Sequence, residues 1–172
     1  YRCAYSAEAL TVYSDYFKET FIPGKIGNAI RYGENTSNSE HISAALQACY
    51  TDPSLAKSII RYVMKQTSFD GMIPDANKGY GYIPSDQYTH NLVQLEVLNA
   101  ITEYLRLTGD YAFLDEWIEA YPIERGEMRS VMSVIESYFM YLSERTYVSA
   151  SMSSMQAAIL PEFLNQIELY GK

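Results

Sequence analysis

Cysteine and histidine are both scarce in this chain. Cys3 and Cys49 lie far apart and fit neither a disulfide-dense scaffold nor paired zinc ligands, so buried free thiols are expected. His41 and His90 are the only histidines, which leaves no histidine-rich metal site, and neither a metal nor a cofactor is expected. Basic charge is also short. A net charge of −8 offers no basic stripe to neutralise phosphates, which argues against nucleic acid and against acidic membranes as partners. No apolar run approaches the roughly 18 residues of a spanning helix. The start, YRCAYSAEAL, lacks the basic and apolar regions of a signal peptide. A chain beginning at Tyr1 is expected to be a processed or excised piece, with its location open and the cytoplasm the preferred expectation. No glycine-rich phosphate loop, nucleophile elbow or metal-ligand spacing is present.

What the chain does have is a globular balance, 48% apolar and 20% charged over 172 residues, enough for one domain with a real core. It also has 17 tyrosines against one tryptophan. A tyrosine offers an apolar ring and a hydroxyl, which suits half-wet helix packing and equally suits the face of a sugar.

The apolar positions recur at helical spacing in successive segments. Leu10, Tyr13 and Phe17 predict a helix over 6–20, and the glycine- and proline-rich 22–38 predicts a long loop. Ser37 followed by Glu40 forms a capping-box pattern ahead of Ile42, Ala45, Leu46 and Cys49. Asp52 and Pro53 then open a third helix with Leu55, Ile59, Tyr62 and Val63 inward and Lys57, Ser58, Arg61 and Lys65 toward solvent. These two helices are expected to pair as an antiparallel hairpin. The stretch 70–116 organises the rest: a polar and aromatic loop, then an unusually apolar helix over 88–108. That helix is expected to be covered on more than one side, stopped by Gly109 and followed by a helix that Asp110 caps and that carries Phe113, Leu114, Trp117 and Ile118. After Pro122 to Gly126, a helix burying Met128, Val131, Met132, Ile135, Tyr138, Phe139 and Leu142 is expected to pair with a last one from Ser154, kinked or restarted at Pro161. No segment alternates with a two-residue period over any useful length, so the expected class is all-α, built from antiparallel helix hairpins.

The phrases ISAALQACYTDPSLAKSIIRYVMKQTSFDGMIP, EVLNAITEYLRLTGDYAFLDE and SSMQAAILPEFLNQIELYGK resemble the catalytic barrel of six-hairpin glycosidases, nearest to the cellobiose-phosphorylase-like and related glycoside hydrolases. The resemblance spans much of 42–172. It implies part of an (α/α) toroid, to be completed by self-association or a further segment, with 22–38 and 69–87 as loops over a carbohydrate cleft and an oligosaccharide or glycoside as partner. Two departures stand out. The interval ERTYVSASMSS holds no acid after Glu144, where the phosphorylase-like members keep their general acid, and HNLVQLE lacks the tryptophan those enzymes often carry.

Cleaving a glycosidic bond takes a carboxylic acid for the leaving oxygen and a carboxylate or phosphate as its counterpart. Among the loop acids Glu34, Glu40, Asp70, Asp75 and Asp86, the first candidate is Asp86 and the second Glu40. Tyr80, Tyr82 and Tyr88 are placed to stack on sugar rings, with Asp70, Asp75, Asn77, Gln87, His41 and His90 as hydroxyl-binding candidates. Each acid also has a structural reading: Glu40 in a capping box, Asp86 at a helix start, Asp70 in an Asp-Gly turn. A non-catalytic α-helical module binding a carbohydrate or a protein is the alternative.

Overall fold

A computed structural model describes residues 10–22, 35–78, 92–143 and 150–171. Among these residues the chain forms five α-helices, α1 (Asn38–Ala48), α2 (Pro53–Met64), α3 (Leu92–Thr108), α4 (Val131–Ser143) and α5 (Ala150–Tyr170). It also forms three antiparallel two-stranded ribbons: β1 (Val12–Ser14) with β2 (Glu19–Phe21), β3 (Asn35–Ser37) with β4 (Ala76–Lys78), and β5 (Trp117–Glu119) with β6 (Met128–Ser130). The ribbons overturn the all-α expectation. The chain is a mixed helical and β structure, and each strand is three residues long, too short for its alternation to register against a helical background.

The first ribbon replaces the helix expected over the described part of 6–20. Val12, Tyr13, Thr20 and Phe21 are β-branched or aromatic, and the chain reverses between Ser14 and Glu19, with Lys18 in the left-handed region at φ 53°. The Lys18 N–H donates to the Ser14 carbonyl at 2.7 Å. Phe17 keeps the burial that its helical spacing implied, by inserting from the turn against Tyr62 with ring centroids 5.1 Å apart.

The α1–α2 pair is antiparallel and starts α2 as its sequence implies. The Asp52 carboxylate accepts from the backbone N–H groups of Ser54 and Leu55, both at 3.1 Å, and Pro53 takes the first helical position. Helix α3 packs against α1, α2 and α5 and buries Val93, Leu95, Val97, Leu98, Ala100, Ile101 and Leu105. Helix α5 therefore takes α3 as its main partner, not α4, although Phe139 and Phe163 still touch at 5.9 Å between centroids. It runs through Pro161 without a break in helix assignment.

Two further expectations fail for a shared reason. Where a fifth helix was expected after Gly109, the chain makes a 3-10 turn over Tyr111–Asp115 and passes into β5, leaving Trp117 exposed and Ile118 buried. Met128, expected in a buried helical face, sits on β6 and is exposed. A segment this short between Gly109 and Pro122 gains too little from helix propagation to offset nucleation, and pairing with β6 satisfies its backbone instead.

The outer face of α2 is not the solvated strip its charges suggested. Lys65 is buried, its ammonium 2.9 Å from Glu19, 3.4 Å from Glu119 and 2.8 Å from the Phe17 carbonyl. Ser58 donates to Glu19 at 2.8 Å and accepts from the Thr20 N–H at 2.8 Å. Arg61 bridges Glu19 and Glu116, and Lys57 contacts Glu116 and Asp110. Burial raises the Glu119 pKa, but the Lys18 and Lys65 ammoniums outweigh it and hold the carboxyl below its usual value. The hydrogen bonds from Lys57 and Tyr104 do the same to Asp110. A column of paired charge thus fastens β1–β2 and β5–β6 to α2.

Gly71 sets a second close approach. Its φ is +84°, and a Cβ there would lie 2.1 Å from the Ser137 carbonyl oxygen of α4. Gly109 shares the left-handed conformation at φ +67° but faces open space. Gly71→Ala is expected to lose at least about 2 kcal/mol, through backbone strain plus a collision with main chain that cannot yield. Gly109→Ala, with strain alone, should lose about 1 kcal/mol. Urea unfolding of both variants measures the difference, and equal losses would remove the Ser137 contact from the argument.

Candidate functional site

One end of the helix layer collects the segment boundaries that matter: the start of α1, the end of α2, the start of α3 and the loop 66–78. The β3–β4 ribbon joins them, with Asn35 opposite Lys78, Thr36 opposite Asn77 and Ser37 opposite Ala76. The Asn38 N–H continues the ladder to the Asp75 carbonyl at 2.9 Å. Ser37 is consequently extended, at φ −80° and ψ 131°, and its hydroxyl makes no capping bond, so the Ser37 half of the expected capping box is absent.

Buried amides fix the loop beneath. The Asn38 side-chain NH2 is fully buried and donates to the Pro74 carbonyl at 2.7 Å and to Gln66 Oε1 at 2.9 Å, while Gln66 Nε2 donates to the Tyr62 carbonyl at 3.0 Å. Gln94, in the first turn of α3, donates to the Gly71 carbonyl at 3.1 Å. Thr67 and Tyr138 share a hydroxyl hydrogen bond of 2.9 Å. Loop 66–78 is therefore held from α1, α2, α3 and α4 together.

The sequence-derived candidates fall as follows. Glu40 lies in the first turn of α1 and is half-buried. Asp75 is half-buried beside β4, and Asn77 stands on β4 opposite Thr36. Asp70 is exposed and accepts a hydrogen bond from the Ser68 hydroxyl, the arrangement of an Asp-Gly turn. The His41 ring is fully buried against Phe21 and Tyr62; Nδ1–H donates to the Ile22 carbonyl at 2.8 Å, and Nε2 is buried without a hydrogen-bond partner. Burial pushes its pKa down to about 4 and keeps it neutral. Glu34, Tyr80, Tyr82, Asp86, Gln87, Tyr88 and His90 lie outside the described residues.

The residues that sequence reasoning passed over are the amides Asn38, Gln66 and Gln94. Gln94 had a signal, a polar side chain inside the apolar run LVQLEV. Its Oε1 is buried without a hydrogen-bond partner, as is Glu96 Oε2 two positions on. A buried acceptor left open at the start of α3 costs stability unless something supplies a donor. Cys49 is a free, buried thiol whose pKa burial raises to about 11, which leaves it unreactive. No protein-family model matches the chain, and no curated protein matches it.

Two outcomes are expected here. Asn38→Ala strands two buried acceptors, Gln66 Oε1 and the Pro74 carbonyl, and should cost about 2 kcal/mol. Amide exchange should then accelerate first at 35–37 and 76–78, and unchanged protection there would separate the amide network from the ribbon. For His41 the neutral ring is the folded form, so protons bind the unfolded chain first as pH falls. Its stabilising contribution is complete above about pH 6.5, declines between 6.5 and about 4, and is level below that. Over that range it amounts to roughly 3 kcal/mol. Denaturant midpoints across this range should flatten in His41→Phe relative to the unaltered chain.

Proposed function

We propose that the chain is a carbohydrate-active protein that acts on glycosidic bonds, by hydrolysis or phosphorolysis, at the end of the helices where β3–β4 joins its loops. The observation carrying this reading is the ribbon itself. The two segments read as cleft loops from sequence, 22–38 and 69–87, are hydrogen-bonded to each other through Thr36 and Asn77 and their neighbours. The resemblance of the helix phrases to six-hairpin glycosidases supplies the reaction class, and the amide-rich, acceptor-rich surroundings suit hydroxyl ligands.

In this reading Asp86 and Glu40 are the carboxyl pair, one protonating the leaving oxygen while the other, or a phosphate, meets the anomeric carbon. Tyr80, Tyr82 and Tyr88 stack on sugar rings, and Asp75, Asn77, Gln87 and His90 take hydroxyls. The partner is an oligosaccharide or glycoside, with a second copy or a further segment contributing to the cleft. Nucleic acid and acidic membranes are disfavoured by the charge of −8, and no helix among the described residues is long and apolar enough to cross a membrane. A second reading, a non-catalytic saccharide-binding module, is favoured by one specific feature, the acid-free interval after Glu144.

The test is a panel of aryl and natural glycosides, with and without inorganic phosphate, scored for released sugar or sugar phosphate and in parallel for binding. Turnover that falls at least about 100-fold in Asp86→Asn or Glu40→Gln, with binding kept within a few fold, is expected of the enzyme. Binding without turnover by the unaltered chain assigns the module. Absence of both across the panel overturns any sugar role for this end.

A further inference from the structure

Away from β3–β4, the ribbons β1–β2 and β5–β6 and the outer face of α2 enclose an open groove of about 270 Å³. Its rim is aromatic and soft: Trp117 is 67% exposed and Met128 47% exposed. Strand alternation puts Trp117 and Glu119 on one face of β5, with Met128 opposite Glu119 on β6, while Ile118 turns into the core. The floor is the charge column, Glu19, Lys65, Arg61 and their partners.

We propose that this groove binds one ring of a neutral saccharide, stacked on Trp117. Three features of the groove select that class. Three bases, Lys18, Arg61 and Lys65, line the groove with three acids, Glu19, Glu116 and Glu119, so it has no net attraction for an ion of either sign. The more exposed of these groups, Lys18, Arg61, Glu116 and Glu119, present donors and acceptors side by side, and a sugar hydroxyl, which both donates and accepts, matches such a rim where a purely donating or accepting ligand does not. The indole then supplies a flat apolar platform already held by a paired strand, so stacking orders little that was free. The volume fits a single ring, since whole ligand pockets are typically about 300 to 1,000 Å³.

This inference stands on the groove and not on the β3–β4 reading, and the two are tested by different residues. Trp117 is the only tryptophan of the chain, so its emission reports the groove directly. Methyl glycosides of glucose, galactose and mannose, with cellobiose and maltose, are titrated while tryptophan emission is followed; glucuronic acid and glucosamine serve as charged controls. A saturable emission change with at least one neutral sugar is expected, tighter than with either charged control. By ligand-observed NMR, Trp117→Ala should weaken that sugar about tenfold or more, and Trp117→Tyr should retain part of the affinity. No saturable change across the panel overturns the proposal, as does equal affinity in Trp117→Ala or preference for a charged control. An emission change that follows protein concentration and ignores sugar also overturns it and assigns the face to self-association.

Discussion

The outer face of α2 is the constraint on which the other elements depend. A buried ammonium at Lys65 and a buried carboxylate at Glu19 would each be costly alone. Together, with Arg61, Ser58 and the Phe17 carbonyl completing their hydrogen bonds, they become a fixed point. Such a pair adds less net stability than an apolar contact of the same volume, but removing one member strands the other, typically at about 3–5 kcal/mol. Its effect is therefore one of position. Glu19 holds β2 to α2, which sets Phe17 against Tyr62, and Glu119 holds β5 to the same lysine. Two ribbons without a sheet to join are registered by a single helix.

The opposite end is fixed by different physics. There the groups are neutral amides and main chain, with Asn38, Gln66 and Gln94 donating to the Pro74, Tyr62 and Gly71 carbonyls. Neutral hydrogen bonds in a water-poor setting cost little when complete and much when broken, so they rigidify a loop without drawing counterions. Gly71, pressed against Ser137, removes the remaining slack between that loop and α4. A loop anchored from four helices is a suitable base for side chains that must hold a ligand in one geometry.

How much of this was legible in the sequence follows from the range of the interactions. The start of α2 and the stop of α3 were readable because they are local: Asp52 caps Ser54 and Leu55 within three residues, and Gly109 meets Leu105 within four. The inward face of α2, with Leu55, Ile59, Tyr62 and Val63, was readable because 3.6-residue spacing persists over its length. The ribbons were not. Three-residue strands carry almost no period, and what decides them is remote: Thr20 is paired with Ser58, and Trp117 with Ser130. Spacing put Phe17 in the core correctly for the wrong local structure, since a turn tip and a helix face bury a ring equally well. At the candidate site, acids and aromatics stand out in the sequence, while the described part is shaped by amides, two of which, Asn38 and Gln94, serve carbonyls far away in the chain.

The hairpin phrases of the sequence can be followed residue by residue into scaffold work: in DPSLAK, Asp52 caps α2, Pro53 opens it, and Leu55 and Ala56 are core. In TGDYAFLDE, Gly109 ends α3, Asp110 accepts from Lys57 and Tyr104, and Phe113 and Leu114 are buried. In DGMIP, Gly71 meets Ser137 and Ile73 is core. Such positions are dictated by how one helix stops and the next begins, and the same dictation acts whatever the loops bind. The identity of a ligand must instead come from groups whose placement costs stability without scaffolding return, and among the described residues these include the open acceptors of Gln94 and Glu96, the unbonded His41 Nε2, and the exposed indole of Trp117 above a balanced field of charge.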